Sequence, residues 1–294
     1  MSAVAVLPAD AAPAPAPPFW VRWPTSPLAA PLVFASPHSG RLYPPELMQA
    51  SRLAGADIRR SEDAFVDDLI AAGTDHGAVI IAATYARAFV DVNREPYELD
   101  PAMFADDLPP FAQSRTARVA AGLGSIARIV AEGHEIYARK LTFAEAETRI
   151  EGVHRPYHAA LGELVEQTLA RAGAVLLVDW HSMPSAAVRP NGHEGCDLVL
   201  GDRFGAACAG EVTDAAEKAL TALGYRVARN MPYAGGYTTE AYGRPAQGIH
   251  ALQIEINRAL YLDEATVTPT EGFLALKTNL GAVFAQLARV AAKL

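Results

Sequence analysis

VLLVDWHSMPS, residues 175–185, is an apolar run that meets Asp179, Trp180, His181 and Ser182 with no turn residue between them. A short continuous apolar run marks a strand buried on both faces, so the pattern predicts a strand over 174–179 with a polar cluster at its C-terminal end. In open α/β sheets, ligands bind at that end of the strands.

Comparable runs predict strands at 31–36 (PLVFAS), 78–84 (AVIIAAT), 88–92 (AFVDV), 197–201 (DLVLG), 225–228 (YRVA) and 250–256 (HALQIEI). Between them, apolar residues recur at helical spacing: Phe65, Val66, Leu69 and Ile70 within 62–73, and longer segments over 113–138, 142–171, 204–223 and 271–293. Strands separated by helices require crossover connections. The expected fold class is therefore α/β, a mixed, mainly parallel sheet with helices on both faces. Segments 96–111 and 230–248 are too rich in Pro, Gly and Tyr for regular elements and read as binding loops.

With 294 residues, 51% hydrophobic and 20% charged, the chain suits one large domain, expected over 19–294 after an extended Ala/Pro-rich tail at 1–18. A net charge of -8 argues against a nucleic-acid or anionic-membrane partner, because both are bound through basic patches. The N-terminal stretch lacks the basic start and long apolar core of a signal peptide or membrane span. Cys196 and Cys208 are too few for a disulfide framework, so a reducing, cytoplasmic location is expected. No pattern speaks to oligomeric state.

PLVFASPHSG, residues 31–40, repeats the form of the first stretch: an apolar strand followed by a histidine and small residues. His38 and His181 can therefore converge, and a carboxylate would complete a metal site. SEDAFVDDL, 61–69, offers Glu62 and Asp63 in the first turn of a helix capped by Ser61, where acids are also favoured by the helix dipole alone. Two imidazoles and a carboxylate suit zinc, with the fourth position open. YARAFVDVNREP, 85–96, puts Arg87 at the start of an expected strand and Asp91, Asn93 and Arg94 at its end. An arginine there is a fork for a carboxylate, or else a partner in a structural salt bridge. In HALQIEINRALYLDE, 250–264, Ile254 and Ile256 flank Glu255, which must then point to the opposite face. Partial burial would raise its pKa and fit it for proton transfer; a salt bridge to Arg258 is the other reading.

PHSG, SEDAFVDDL, DVNREPYELDP, VDWHSMPS, NMPYAGGYTTEAYGRP and QIEINRALYLDE, in this order, closely resemble the N-formylglutamate amidohydrolase family across nearly all the chain after the tail. That family is similar to the zinc carboxypeptidases and aspartoacylase-like deacylases, so the resemblance implies a phosphorylase/hydrolase-like mixed sheet between helical layers. It also implies one Zn2+ per chain, held by His38, His181 and Asp63, with Glu62 as the alternative third ligand. Asn93 and Arg94 resemble the pair that grips the substrate carboxylate, Arg87 the group that polarises the carbonyl, and Glu255 the base that activates water. Gly235, Gly236, Tyr237 and Thr238 are candidates to wall a pocket small enough for a formyl group. Carboxypeptidase relatives carry His-x-x-Glu, whereas Arg41 stands three residues after His38, so the third ligand must come from elsewhere. The implied activity is hydrolysis of N-formyl-L-glutamate to formate and L-glutamate, as in histidine degradation, on a small acidic N-acyl amino acid. The alternatives are an aspartoacylase-like deacylase or carboxypeptidase acting on another acidic amide, and a non-catalytic ligand-binding relative.

Overall fold

A computed structural model describes residues 16–24, 29–130, 133–188 and 195–294. Seven strands form one sheet: β1 (Phe19–Arg22), β2 (Leu32–Ser36), β3 (Val79–Ala83), β4 (Val175–Met183), β5 (Leu198–Gly201), β6 (Val227–Arg229) and β7 (Ile249–Asn257). Their order is β1-β3-β2-β4-β7-β5-β6. The pairs β2/β3, β2/β4, β4/β7 and β5/β6 are parallel, while β1/β3 and β5/β7 are antiparallel. The mixed, mainly parallel sheet expected from the strand pattern is the sheet observed.

Alternation along the central strands sends neighbouring side chains into two separate cores. Val33, Ala35, Leu177 and Ala251 pack on one face with Leu161, Leu164 and Val165 of the helix Arg155–Ala172. Leu32, Phe34, Leu176, Val178, Leu252, Ile254 and Ile256 pack on the other, against the helices Gly210–Ala222 and Gly272–Ala291. Trp180 belongs to this second core, wedged edge-on between Phe34 and Phe284 with ring centroids 5.4 and 5.6 Å away. It is thus an apolar anchor rather than part of a polar cluster. Cys196 and Cys208 are both free thiols. Among the described residues, no helix is long and apolar enough to cross a membrane.

Several expected elements take a different form. AFVDV, 88–92, is not a strand but a turn-rich segment. Its apolar residues are buried, yet the Asp91 amide donates to the Ser125 carbonyl of another loop instead of a strand neighbour. Burial alone had produced the strand-like pattern. Among the described residues of the periodic segment 113–138, only Ala117–Ala120 is α-helical, because Gly122 and Gly133 both turn the chain with φ of +77°. The helix expected over 62–73 begins at Val66, with Phe65 in the left-handed region, so Ser61 caps nothing and Glu62 and Asp63 precede the helix. Within 204–223 the helix spans Gly210–Ala222, and the loop 230–248 contains a short helix, Tyr237–Tyr242. The edge strand β1 was not anticipated. Most of the expected tail, 1–15, lies outside the described residues. Its end is tied down: the carbonyls of Ala16 and Pro18 accept from Tyr85 Oη and the Thr84 amide at 3.1 and 3.0 Å.

Candidate active site

β2, β4 and β7 lie side by side and parallel, so their C-terminal ends open onto one cavity of about 450 Å³. β4 runs on to Met183, which places Asp179 and His181 within the strand rather than beyond it. The β4/β7 register then sets Asp179 beside Gln253 and His181 beside Glu255. All four point to the face opposite Trp180, Ile254 and Ile256. Glu255 therefore takes the orientation expected from its apolar neighbours. Its partner is Gln253, whose amide nitrogen donates to Glu255 Oε1 at 2.9 Å, while Arg258 pairs elsewhere.

His38 stands two residues beyond β2 and meets His181 across the cavity floor, with their Nδ1 atoms 3.1 Å apart. Both nitrogens also face one oxygen, Asp63 Oδ2, at 3.3 Å from His38 and 2.9 Å from His181. These three ligand atoms, all buried, lie within 4.8 Å of one another and can hold a metal ion. Glu62 is directed away: its carboxylate accepts from Tyr43 Oη at 2.6 Å and from Arg59 Nε and Nη2 at 2.9 Å. Asp63, not Glu62, is the carboxylate brought to the histidines.

Each imidazole uses its other nitrogen on a buried carboxylate. His38 Nε2 lies 2.6 Å from Asp91 Oδ1, and His181 Nε2 lies 2.9 Å from Asp179 Oδ2. Such carboxylate partners fix the ring and its tautomer, directing both Nδ1 lone pairs toward the Asp63 oxygen. Three electron-pair donors converging on one point can share a proton or hold a metal ion, and two nitrogens with one carboxylate fit the zinc donor set. Electrostatics agree. Burial pulls the His181 imidazole down, but the Asp179 charge and the hydrogen bonds to Asp179 and Asp63 outweigh it and hold His181 well above its usual range. Burial pushes Asp63 up, yet its contacts with His181 and His38 hold it well below the usual carboxylate range. Positive charge is strongly favoured at this point.

The loop after β3 supplies the second half of the site. Asp91 is pushed up by burial but held well below the usual range by Arg87, whose Nη2 donates to Asp91 Oδ2 at 2.6 Å. Asn93, expected on the substrate, lines the cavity and also bonds within the protein. Its Oδ1 accepts from the Thr238 amide and hydroxyl at 2.7 and 2.9 Å, and its Nδ2 donates to Asp179 Oδ2 at 3.1 Å. Arg94 lines the cavity with Nε and Nη1 on the carbonyls of Leu123 and Asn93. Burial, with the charges of Arg87 and Arg118 nearby, lowers its pKa below the usual guanidinium value.

Of the four residues expected to wall a formyl pocket, Gly235 and Gly236 line the cavity, together with Tyr233 and Ala234. Thr238 is buried behind Asn93, and Tyr237 packs against His154 and His158 instead. Sequence reasoning missed the roles of Asp179, Gln253 and Arg258. The first two had a usable signal, because Asp179–His181 and Gln253–Glu255 are i, i+2 pairs on strands and so share a face. Arg258 had none: it donates from Nη2 to Asp63 Oδ1 and from Nε to Ser182 Oγ, both at 3.1 Å, across 195 and 76 residues of sequence.

The family model for N-formylglutamate amidohydrolase matches residues 30–262, which contain every residue of this site. The chain is 28% identical over 251 residues to the N-formylglutamate deformylase of Pseudomonas putida, across 80% of this chain and 82% of that protein. It is 29% identical over 240 residues to the N-formylglutamate deformylase of Pseudomonas aeruginosa PAO1, across 80% and 83%. The crystal structure of N-formylglutamate amidohydrolase from Ralstonia eutropha JMP134 shares 38% identity and a TM-score of 0.88, over 94% of this chain and 99% of that one. With a match across most of its length and the His38, Asp63, His181 and Glu255 cluster inside it, the chain belongs to the N-formylglutamate amidohydrolase family.

Proposed function

We propose that the chain hydrolyses N-formyl-L-glutamate to formate and L-glutamate, with one zinc ion held by His38, Asp63 and His181. The observation that carries this reading is the convergence of three lone-pair donors beside a buried carboxylate, Glu255, and a guanidinium, Arg87, in one cavity. Zinc bound there would supply Lewis-acid activation of water and of the formyl carbonyl.

Burial pushes the Glu255 carboxyl up to about 7, which suits a group that must take up and release a proton near neutral pH. Glu255 accepts a proton from the attacking water as the water oxygen bonds to the formyl carbon, and returns it to the amine nitrogen as the C–N bond breaks. Burial lowers the Arg87 pKa and the charge of Asp91 raises it, with a net upward shift that keeps the guanidinium charged. Its cation faces the negative charge that develops on the formyl oxygen. Arg94 takes the α-carboxylate beside the scissile amide, with Asn93 as the group that holds His181 and the loop in place. Gly235 and Gly236 keep the acyl pocket narrow.

The test is formate release from N-formyl-L-glutamate by chelator-treated protein before and after zinc is restored, with N-acetyl-L-glutamate as competitor substrate. Zinc-dependent release with formyl preferred to acetyl is expected. No release from protein carrying stoichiometric zinc would end this reading, and faster acetyl cleavage would point to an aspartoacylase-like deacylase.

A further inference from the structure

We infer that Arg118 is the specificity residue for the side-chain carboxylate, forming a second anion subsite in the same cavity as the histidines. The inference deepens the proposed N-formylglutamate reading, and its binding arm can be decided without turnover.

Five arginines line the cavity against three carboxylates: Arg60, Arg87, Arg94, Arg118 and Arg258 against Asp63, Asp91 and Glu255. Most of these cations have visible work. Arg258 donates to Asp63, Ser182 and the Arg60 carbonyl, Arg87 to Asp91, and Arg94 to two backbone carbonyls. Arg118 differs. Among the described residues its side chain makes no hydrogen bond, and its one ion pair is a long contact from Nη1 to Glu98 Oε2 at 3.7 Å. That same Glu98 oxygen is buried and has no hydrogen-bond partner. Glu98 thus holds the guanidinium at a distance by charge while leaving its donor fork available.

Position decides which carboxylate Arg118 meets. Arg94 is 14% exposed and lies 3.9 Å from Asp91, close to the histidines. Arg118 is 32% exposed, so it stands nearer the cavity mouth. The two are joined through one loop, because Arg94 Nε donates to the carbonyl of Leu123, five residues after Arg118. Ala127, Ile129 and Val130 of the same loop add an apolar wall suited to the methylenes between two carboxylates. Arg87, Arg94 and Arg118 line the same cavity, and their mutual repulsion is relieved by a dianion more than by a monoanion. A ligand with one carboxylate at Arg94 and a second a few bonds farther out satisfies both arginines. Planar, bidentate recognition at Arg118 would reject a neutral amide at the outer position.

The experiment measures kcat/KM for N-formyl-L-glutamate, its side-chain amide (N-formyl-L-glutamine) and its α-amide, in the parent and in Arg118→Gln and Arg118→Lys. Calorimetric titration of L-glutamate and L-glutamine into the zinc-loaded proteins runs alongside. The parent should prefer the side-chain acid over its amide by about tenfold or more, the scale of a charge-assisted hydrogen bond at a partly exposed arginine. In Arg118→Gln this preference should collapse through KM, with the rate on N-formyl-L-glutamine and the discrimination against the α-amide kept. Arg118→Lys should retain part of it. Retention of the parent's acid-over-amide preference in Arg118→Gln, or an equal loss on every substrate, overturns the assignment. If the parent releases no formate, the activity reading fails, and the titrations still decide Arg118: glutamate binding weakened toward that of glutamine supports the subsite, and unchanged glutamate binding removes it.

Discussion

The two halves of the site are built by different means. On β4 and β7, Asp179, His181, Gln253 and Glu255 sit in paired register, their backbones set by a parallel ladder nine residues long on each strand. On the loop after β3, Arg87, Asp91, Asn93 and Arg94 have no ladder. There the backbone is held by single contacts: His158 Nε2 on the Val92 carbonyl at 2.6 Å, His154 Nε2 on the Arg94 carbonyl at 2.8 Å, and Arg149 Nη1 on the Phe89 carbonyl at 3.2 Å. A ladder spreads its load over many backbone bonds, so removing a side chain changes chemistry and leaves position intact. A loop clamped by individual side chains changes position when one clamp is lost.

The largest effect tests the histidines, one from each construction. His181→Ala and His38→Ala should each lose the bound metal and reduce formate release to background, read by elemental analysis with circular dichroism as the fold control. Full metal in both folded variants would remove the proposed centre.

Glu255→Gln comes next. The amide keeps the shape and the strand keeps the position, so metal content and fold should persist while kcat falls by about 10²- to 10⁴-fold. Because burial raises Glu255 to about 7 and only its ionised form accepts a proton, the parent's kcat/KM should decline as pH falls below that value. Turnover within about threefold of the parent would return Glu255 to a structural role.

The loop half should fail first in acid. Burial lowers His158 to about 4, with the neighbouring His154 charge acting the same way. Between about 6.5 and about 4 the unfolded chain binds a proton at this imidazole and the folded chain does not, so stability rises with pH across that window. The contribution is fully present above about 6.5 and is lost on acidification, on the order of 3 kcal/mol in all. His158→Gln should flatten the pH dependence of Tm in this window. Hydrogen exchange should show protection falling at Val92–Arg94 before it falls in β4; simultaneous loss in both would remove the distinction between the halves.

A smaller effect is expected from Gly236→Ala. A Cβ at this position would stand 2.5 Å from Asn93 Nδ2 and 2.8 Å from its Oδ1. Asn93 must then shift and weaken its bonds to Thr238 and Asp179. A loss of about 1–3 kcal/mol in stability is expected, the usual range for overpacking. Lower kcat/KM with an unchanged Tm would instead place the methyl in the substrate's path.

How far the chain was legible depended on whether a pattern had one physical cause. The central strands were readable because β2, β4 and β7 are buried on both faces, which forces continuous apolar runs. AFVDV misled because its apolar residues are equally buried without being paired, and periodicity records burial rather than hydrogen bonding. The segment 113–138 misled similarly, its apolar residues reaching the core from a loop bent at Gly122 and Gly133. At the site, His38, His181 and Glu255 could be picked out because each follows or interrupts an apolar strand. Asp63 could not be separated from Glu62, since adjacent acids offer the same chemistry until Arg59 and Tyr43 claim one of them.

Local patterning and motif order were enough to identify the α/β class, the family and the residue types of a two-histidine, one-carboxylate centre, because these depend on side-chain chemistry and short-range periodicity. Tertiary structure alone decided the rest: that Asp63 Oδ2 faces both Nδ1 atoms, that Asp91 and Asp179 take the opposite nitrogens, and that Asn93 meets Thr238 while Arg118 meets Glu98. Each of these is a contact between segments far apart in the chain. No local energy term distinguishes the members of such pairs; only the crossing of strands and loops brings them within hydrogen-bonding distance.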